Sequence, residues 1–436
     1  MKNNKSSIIY LPVLLAAVVF FSSCKKNFDN PNAATQIQVL NSPKGLTGTA
    51  IGLQRTYSLG LTSVLYNLNT AVGFSTNEIA LRNSGNIPEL QLSTGGTSVD
   101  GTNTVLANVW INANKIIYEA NNVISKAEQL SDKGYASGLI GYTTIFKVLS
   151  MGALCTSYEK VPDTIGLNVT FSDRVQGFNK AVAAIDKALA AINTTPVSAS
   201  FLNDISTTGI NITNTLYALK ARYTLFAGNY SAALTAANTV DLNVKSTFNF
   251  EAINPNTIFQ LVTSTNNIYQ PVDSTLGLPV ALQPNAADKR IPFYTAVNAV
   301  LPKFRFNGFW NATTTAIPVY LTDEISLIKA ECYVRQSTPD LVGAKNIIDA
   351  VLKQAPSADP FNVGADIAAG YTGTVDVPSL LTEIYRNRCI ELYFTGLKLE
   401  DMRRFGRPVS ERKRNFFPYP FRERDSNSNT PADPAF

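Results

Sequence analysis

The sequence has 436 residues, which is enough for two or three domains of ordinary size or for one large domain. Hydrophobic residues make up 45% of the chain and charged residues only 16%, so Asn, Thr, Ser and Gln must supply much of the surface. The formal net charge of +5 is too small and too dispersed to indicate nucleic-acid binding. The chain contains no histidine, which excludes a Ser-His-Asp triad, a Cys-His dyad and histidine-ligated zinc.

The N-terminus has the pattern of an export signal. Lys2 and Lys5 precede the apolar run Ile8–Phe21, which at 14 residues is short for a membrane span. Two serines then lead to Cys24, and this arrangement resembles a bacterial lipoprotein signal in which Cys24 is the first mature residue and carries the lipid. The alternative is an ordinary signal peptide with an incidental cysteine.

These features divide the chain into three expected segments. They are a lipoprotein signal peptide at 1–23, a lipid-anchored polar tether at 24–49 and one helical domain at 50–436. No run after the signal approaches 18 apolar residues, so we expect the mature chain to be held at the membrane by its lipid rather than to cross it.

Apolar residues recur at three- and four-residue intervals over much of the domain, which predicts amphipathic helices, most clearly at Thr104–Leu130. At Asn214–Val240 two such helices flank a Gly-Asn turn, with small residues facing bulky ones, as in a tetratricopeptide hairpin. A second pair is predicted at Thr322–Arg335 and Leu341–Leu352. The sequence therefore predicts a mainly α-helical fold with tetratricopeptide-like helix-turn-helix hairpins and large irregular loop insertions.

Two segments lack a sustained hydrophobic period. Phe74–Gly101 is rich in Ser, Thr, Asn and Gly, and residues 241–320 carry many prolines, asparagines and aromatic residues. We predict a loop for the first segment and a loop with a few short strands for the second. Recognition surfaces are commonly built on irregular insertions of this kind.

Three cysteines follow Cys24 in the sequence: Cys155, Cys332 and Cys389. No two have C-x-x-C spacing, which excludes a redox motif or a four-cysteine metal site. Their apolar helical surroundings predict buried free thiols, with one disulfide as the alternative. There is no phosphate-binding loop, dinucleotide fingerprint or calcium loop, so we predict no cofactor and no metal site.

Two helices are predicted near the C-terminus, at Ser379–Gly396 and Lys398–Arg404, and the glycine is a natural stop for the first. Two pairs of opposite charge have a spacing of three residues, which allows an ion pair within one helix. These pairs are Arg388 with Glu391, and Asp401 with Arg404. Taken alone, such charges indicate a solvated helix face.

The run from Ile384 to Arg404 resembles the C-terminal signature of SusD/RagB-type outer-membrane lipoproteins, which is approximately I-x-x-E-R-x-x-E-L-x-F-E-G-x-R-x-x-D-L-x-R. The matching residues are Arg388, Glu391, Leu392, Phe394, Gly396, Asp401 and Arg404. Asn387, Thr395 and Lys398 stand where the signature has Glu, Glu and Arg, which predicts a weaker ion-pair network at unchanged spacing.

Other stretches resemble the same family in the same order. Trp110, Ile117 and Asn121 resemble its W-x-x-x-Y-x-x-I-x-x-x-N helix, with Asn114 in place of the tyrosine, and we assign Trp110 to the core. Three further resemblances are Asp288–Arg290 to its D-x-R, Asp323–Glu331 to its A-E-x-x-L-x-x-A-E helix and Pro418–Glu423 to its P-I-P-x-x-E segment.

The resemblance implies a lipoprotein anchored through Cys24 in the outer membrane and facing the cell exterior. Such proteins capture a glycan, or in some relatives a peptide, and cover a SusC/RagA-type TonB-dependent transporter barrel. A weakly charged surface rich in Asn, Thr and aromatic residues suits sugars. The candidate ligand-binding residues are the aromatic Tyr294, Phe309 and Trp310 and the polar Arg82 and Asn83.

Two other classes of function are compatible with the composition. A glycosidase needs only two carboxylates, but the acids in question lie on helices beside basic residues, which indicates structural pairing and no enzyme. Those acids are Glu324, Glu331, Glu391 and Asp401. A helical-repeat adaptor would bind only other proteins.

Overall fold

The computed structural model describes residues 42–436. The predicted signal peptide and the lipid-bearing Cys24 therefore lie outside the described residues. The first helix begins at Pro43, where the Ser42 hydroxyl accepts a hydrogen bond from the Gly45 backbone nitrogen at 3.1 Å. The end of the segment assigned to the tether is therefore helical, and the helical domain begins before the expected boundary at residue 50.

Helices form most of the described chain, as predicted. In chain order they are α1 (Pro43–Ser58), α2 (Val64–Ser75), α3 (Ile87–Thr94), α4 (Thr104–Ala127), α5 (Lys133–Ser157), α6 (Arg174–Thr194), α7 (Ala199–Asp204), α8 (Ile212–Phe226), α9 (Tyr230–Thr239), α10 (Arg290–Tyr294), α11 (Thr322–Arg335), α12 (Leu341–Lys353), α13 (Val377–Glu391), α14 (Lys398–Arg404) and α15 (Phe421–Ser426).

The strands are short and pair in four antiparallel ladders, β1 with β5, β2 with β3, β4 with β8 and β6 with β7. They are β1 (Ile79–Leu81), β2 (Lys160–Pro162), β3 (Phe171–Asp173), β4 (Thr247–Phe248), β5 (Tyr269–Pro271), β6 (Thr295–Val297), β7 (Phe304–Phe306) and β8 (Ile317–Pro318).

The centre of the molecule is α5, which packs between α4 and α6. By length and composition alone α5 could cross a membrane, whereas we expected from the sequence no apolar run long enough to do so after the signal. However, 83% of the apolar segment of α5 is buried inside the protein. Gly152 allows the close packing of α5 on α8, because a Cβ atom there would lie 2.3 Å from the Tyr223 hydroxyl oxygen. The apolar length of α5 is thus accounted for by burial in the core.

Both predicted hairpins are present. α8 and α9 are joined at Gly228, which has φ +82°, and the Asn229 side chain accepts a hydrogen bond from the Ala232 nitrogen at 3.2 Å. α11 and α12 form the second hairpin, and α9 packs on α11, so the hairpins are stacked. A second, smaller core lies between α11, α12 and α13 and includes Ala330, Ile348 and Ile384.

The prediction of a loop at Phe74–Gly101 is wrong in part. The segment contains β1 and α3, and β1 exists because it pairs with β5, which is remote in the sequence. The prediction for residues 241–320 is confirmed, since this part of the chain contains only short strands, short helical turns and loops.

The predicted C-terminal helix is too long. α13 ends at Glu391, and the chain then turns through Phe394, which has φ +54°, and Gly396, which has φ +79°. Remote side chains satisfy the backbone of this turn: the Phe394 nitrogen donates to Glu78 Oε1 at 3.0 Å, and Asn69 Nδ2 donates to the Phe394 oxygen at 2.8 Å. Local periodicity carries no signal for such partners.

Candidate functional site

The three aromatic residues predicted to contact a ligand are buried in the core. Tyr294 is fully buried, and Trp310 and Phe309 are only 1% and 7% exposed. The Trp310 ring lies 5.3 Å from the ring of Phe306 and 5.5 Å from that of Phe394, centroid to centroid. The structure thus places these candidates in the core and not on a binding surface, because the rings of Tyr294 and Trp310 pack against the turn after α13 and Phe309 packs against both.

The two polar candidates are exposed. Arg82 and Asn83 follow β1 directly, and the Arg82 backbone nitrogen extends the ladder by donating to the Ile268 oxygen at 2.8 Å. Asn83 Nδ2 donates to Asn267 Oδ1 at 3.0 Å, and Asn83 Oδ1 accepts from the Gly85 nitrogen at 2.9 Å. The Asn83 amide is thus fixed in place while it remains open to solvent.

A third segment completes this surface. When the half-buried Asn266 amide is oriented with its oxygen towards Arg305, it accepts from Arg305 Nε at 3.3 Å and Nη2 at 3.1 Å. We call the surface formed by Arg82, Asn83, Asn266, Asn267 and Arg305 the amide–guanidinium surface.

The amide–guanidinium surface rests on a rigid support. Gln270, on β5, is fully buried; its Oε1 accepts from the Phe306 nitrogen on β7 at 3.1 Å, and its Nε2 donates to the Val262 oxygen at 2.9 Å. This side chain joins β5 to β7, so the three segments that carry the surface are fixed relative to one another. Preorganised polar groups lose little conformational entropy when they bind a ligand.

The chemistry of this surface suits a ligand rich in hydroxyl groups. A hydroxyl group both donates and accepts hydrogen bonds. Amides can do both in return, and guanidinium groups donate to hydroxyl oxygens from a planar set of N–H groups. Next to Arg305 lie the half-buried Phe304 and the exposed Lys303, whose ammonium is 5.7 Å from the Phe304 ring centroid. Of the two phenylalanines that flank Arg305 in the chain, Phe304 is half-buried and Phe306 is buried.

The residues of the C-terminal signature form buried ion pairs rather than a solvated face. The spacing of Arg388 and Glu391 suggested an ion pair between them, but the two side chains do not pair. Arg388 Nε and Nη2 donate instead to the Asp401 carboxylate, at 2.9 and 3.0 Å. The predicted pair of Asp401 with Arg404 is confirmed at 2.7 Å, and Arg404 also pairs with Glu331. Since α13 and α14 are held together by these contacts, the signature, including Gly396 in the turn between them, is structural.

Glu391 pairs instead with Arg290, at 3.4 Å from Nη1 to Oε2. Arg290 also donates to Asp288 at 2.7 Å and to Asn387 Oδ1 at 2.9 Å. The Asn387 amide therefore accepts a hydrogen bond from the arginine at a position where the signature has a glutamate, and the network persists with one fewer charge.

A cluster of buried carboxylates surrounds Arg290. Burial first, and then the nearby Asp359 carboxylate, raise the pKa of Asp323 to about 7. Burial, followed by the charge of Asp323, raises the pKa of Glu391 well above its ordinary value, against the opposing effect of Arg290. These groups lie in the interior, where the shifts affect stability rather than contact with a ligand.

The acids considered for a glycosidase all lie in the interior. Glu324 binds Arg222 through both oxygens, at 2.5 and 2.6 Å, and it is 1% exposed, while the others belong to the network above. Among residues 42–436, no group of three or more Cys, Asp and Glu side chains is arranged to hold a metal ion.

Cys155, Cys332 and Cys389 are free and buried, as predicted. Burial raises the pKa of each thiol to about 12. Trp110 is also buried, as predicted, and its indole nitrogen donates to Glu423 Oε2 at 3.1 Å.

No protein-family model matches the sequence, and no curated protein sequence matches it. Solved structures do. A SusD superfamily protein from Bacteroides thetaiotaomicron has a TM-score of 0.70 at 16% identity, covering 90% of this chain and 100% of that one. The chain has the SusD-like fold.

Two further structures support this assignment. A SusD homologue from Bacteroides thetaiotaomicron has a TM-score of 0.71 at 13% identity, covering 92% of this chain and 99% of that one. A protein from Bacteroides fragilis described as a SusD-like carbohydrate-binding protein has a TM-score of 0.65 at 13% identity, covering 84% of this chain and 87% of that one. At these identities the likeness establishes the fold.

Within this SusD-like fold, two of the five residues of the amide–guanidinium surface, Arg82 and Asn83, are the polar candidates taken from the sequence, and their contact with a ligand stays a prediction. Asn266, Asn267 and Arg305 were missed because they lie in the segment without a hydrophobic period. The ladder of β1 with β5 brings the two asparagines beside Arg82, and Gln270, which joins β5 to β7, brings Arg305 there. The adjacent asparagines before β5 were the one local signal of a tight turn at this place in the chain. Asn266 has φ +58°, a left-handed conformation that asparagine tolerates better than most residues.

Proposed function

We propose that this protein binds a glycan at the amide–guanidinium surface and has no catalytic activity. The SusD-like fold supports the proposal, as does its likeness to a protein described as carbohydrate-binding. The observation that carries it is the exposed hydrogen bond between the amides of Asn83 and Asn267. The exposed Arg82 precedes Asn83 in the chain, and the Arg305 guanidinium donates to the neighbouring Asn266 amide. Such preorganised donors and acceptors match the hydroxyl groups of a sugar.

The cellular setting is part of the same proposal. Cys24 carries a lipid that anchors the protein in the outer membrane, with the folded domain facing the exterior. The domain passes its glycan to a SusC/RagA-type TonB-dependent transporter. The lipoprotein-like N-terminal pattern and the SusD-like fold support this arrangement.

An oligosaccharide screen followed by titration calorimetry tests the binding site. The protein is the mature chain from residue 24 with Cys24→Ser, which contains every described residue. We expect Arg82→Ala and Asn83→Ala each to weaken binding of the best oligosaccharide by roughly tenfold or more, because each removes a hydrogen-bonding group from the surface. Arg55→Ala and Asn203→Ala are the matched controls, since both residues are exposed elsewhere, and they should bind as the unaltered protein does.

Two results would overturn the proposed function. If Arg82→Ala and Asn83→Ala bind the oligosaccharide as tightly as the controls, the surface is not the site. If the oligosaccharide is hydrolysed during the titration, the protein is an enzyme.

A gentle detergent pull-down of the tagged full chain tests the partner separately. Recovery of a stoichiometric outer-membrane barrel is expected. Recovery of the protein alone would contradict the transporter assignment and leave the glycan-binding result unaffected.

A further inference from the structure

Two adjoining cavities, of about 210 and 230 Å³, lie on the side of the molecule formed by α4, α5, the β2–β3 connection and α15. Four residues line both cavities: Asn114, Pro162, Thr164 and Ile165. We call the two together the Lys147 cleft, after the lysine that lines the first cavity. None of these residues belongs to the amide–guanidinium surface.

The space exists because a short side chain occupies position 114. Asn114 Nδ2 turns back to donate to the Trp110 oxygen of its own helix at 2.9 Å, so the side chain does not extend into the cleft. The SusD/RagB-type pattern has a tyrosine at this position, and a ring there would fill the volume that both cavities share.

The first cavity is lined by polar side chains, among them Asn121, Asp163 and Thr164, and by an apolar part that has two sides. Ile117 on α4 and Met151 and Leu154 on α5 form one side, and Val161 and Ile165 form the other. An apolar body suits this part of the cavity, because its apolar side chains offer a ligand no hydrogen bonds.

Lys147 is the unpaired cation of this cavity. It is half-buried, and among residues 42–436 its ammonium has no hydrogen-bond or ion-pair partner. Burial, and then the charge of Lys187, lower its pKa, which means that an incoming negative charge would relieve an unfavourable environment. A carboxylate beside Lys147 would supply that charge.

The other charges at the cleft are already engaged. Lys180 Nζ donates to Asp163 at 2.6 Å, and this bond, followed by that from Thr170, lowers the pKa of Asp163 to about 2. In the second cavity, Glu423 accepts from Trp110 Nε1 at 3.1 Å and from Asn427 Nδ2 at 2.9 Å. The acids of the cleft therefore do not neutralise Lys147.

We propose that the Lys147 cleft binds a carboxylate with an apolar body, with the carboxylate at the Lys147 ammonium and the body between Met151, Leu154 and Ile165. This is a second binding site, separate from the glycan site and independent of it. Its ligand class follows from one unpaired cation in a cavity that has an apolar part.

Calorimetric titration of the mature chain with octanoate tests the proposal, with acetate and octanol as comparison ligands. Octanoate should bind at least tenfold more tightly than either, because acetate lacks the apolar body and octanol lacks the charge. Lys147→Met keeps the apolar stem and removes the charge, so it should weaken octanoate binding at least tenfold. Lys289→Met, an exposed lysine outside the cleft, is the control and should leave binding unchanged.

Asn114→Tyr fills the shared volume and should abolish octanoate binding while leaving binding of the oligosaccharide intact. If that variant does not fold, Lys147→Met decides alone. The proposal is overturned if octanoate does not bind at millimolar concentration, if Lys147→Met binds it as the unaltered protein does, or if acetate binds as tightly as octanoate.

Discussion

Arg388 is fully buried, and every strong contact of its side chain is with one carboxylate. Its guanidinium forms two hydrogen bonds with Asp401, which in turn accepts a bond from Arg404. A buried ion pair contributes little net stability when both partners are present, but removal of one partner leaves an uncompensated charge in a medium that solvates it poorly. The stability of α13 against α14 therefore depends on the pair being complete.

Arg388→Met should lower the free energy of unfolding by about 3–5 kcal/mol, because Asp401 then remains buried with one arginine fewer. Urea denaturation measures the change. Arg424→Ala removes a partner from the exposed pair of Arg424 with Asp433 and should cost less than about 1 kcal/mol. Equal losses in the two variants would contradict the structural role assigned to the signature.

Asp323 makes stability depend on pH. Between the ordinary aspartate pKa, near 4, and its folded-state pKa of about 7, the folded protein holds a proton that the unfolded chain has lost. This group therefore lowers the free energy of unfolding as pH rises through that window, and Glu391 acts in the same direction.

We expect urea denaturation to show lower stability at pH 8 than at pH 5, with Asp323 contributing roughly 2–4 kcal/mol of the difference. Asp323→Asn should flatten this dependence because the amide does not titrate. Asp163→Asn is the control: its partners lower the pKa of Asp163 to about 2, so the loss of its carboxylate should not change the slope between pH 5 and pH 8. If the stability of Asp323→Asn falls between pH 5 and pH 8 as steeply as that of the unaltered protein, Asp323 is not the cause of the pH dependence.

At the scale of elements, the turn between α13 and α14 is the point where the C-terminal signature meets α2. Gly396 has φ +79°, and a Cβ atom there would lie 2.9 Å from Asn69 Oδ1 and 3.0 Å from Leu68 Cγ. Both the backbone conformation and the lack of space require glycine at this position.

Gly396→Ala should lower the free energy of unfolding by about 1–3 kcal/mol, through backbone strain and displacement of α2. Gly48→Ala offers a matched control on α1, where a new Cβ atom would have nothing within 4 Å. It should raise stability by about 0.5–1 kcal/mol, because alanine has the higher helix propensity. Thermal unfolding measures the stability of both variants. A Gly48→Ala variant less stable than the unaltered protein would contradict the open space found at this position of α1.

Elements determined by local pattern were predictable from the sequence, and those determined by remote partners were not. The hairpin of α11 with α12 was placed within a residue because its periodicity and its break are local. β1 was missed because β5 is its partner, and the end of α13 was misplaced because Glu78 and Asn69 satisfy the turn that follows. The burial of Trp310 depends in the same way on Phe394.

At the scale of the whole molecule, the helical scaffold brings three distant segments to one surface. Arg82, Asn267 and Arg305 meet because β1 pairs with β5 and Gln270 ties β5 to β7. The segment with Arg82 could be proposed from the sequence alone, because an Arg-Asn pair in a polar stretch can be recognised without a structure. The other two become recognisable only once the ladder is formed.

Hydrogen–deuterium exchange of the mature chain, with and without its best-binding oligosaccharide, locates the ligand most directly. We predict slower exchange in residues 82–86, 264–268 and 303–307, the segments that form and flank the amide–guanidinium surface, and no change in residues 160–180 beside the Lys147 cleft. Protection confined to any other part of the chain, with 82–86 and 264–268 unchanged, would contradict the account.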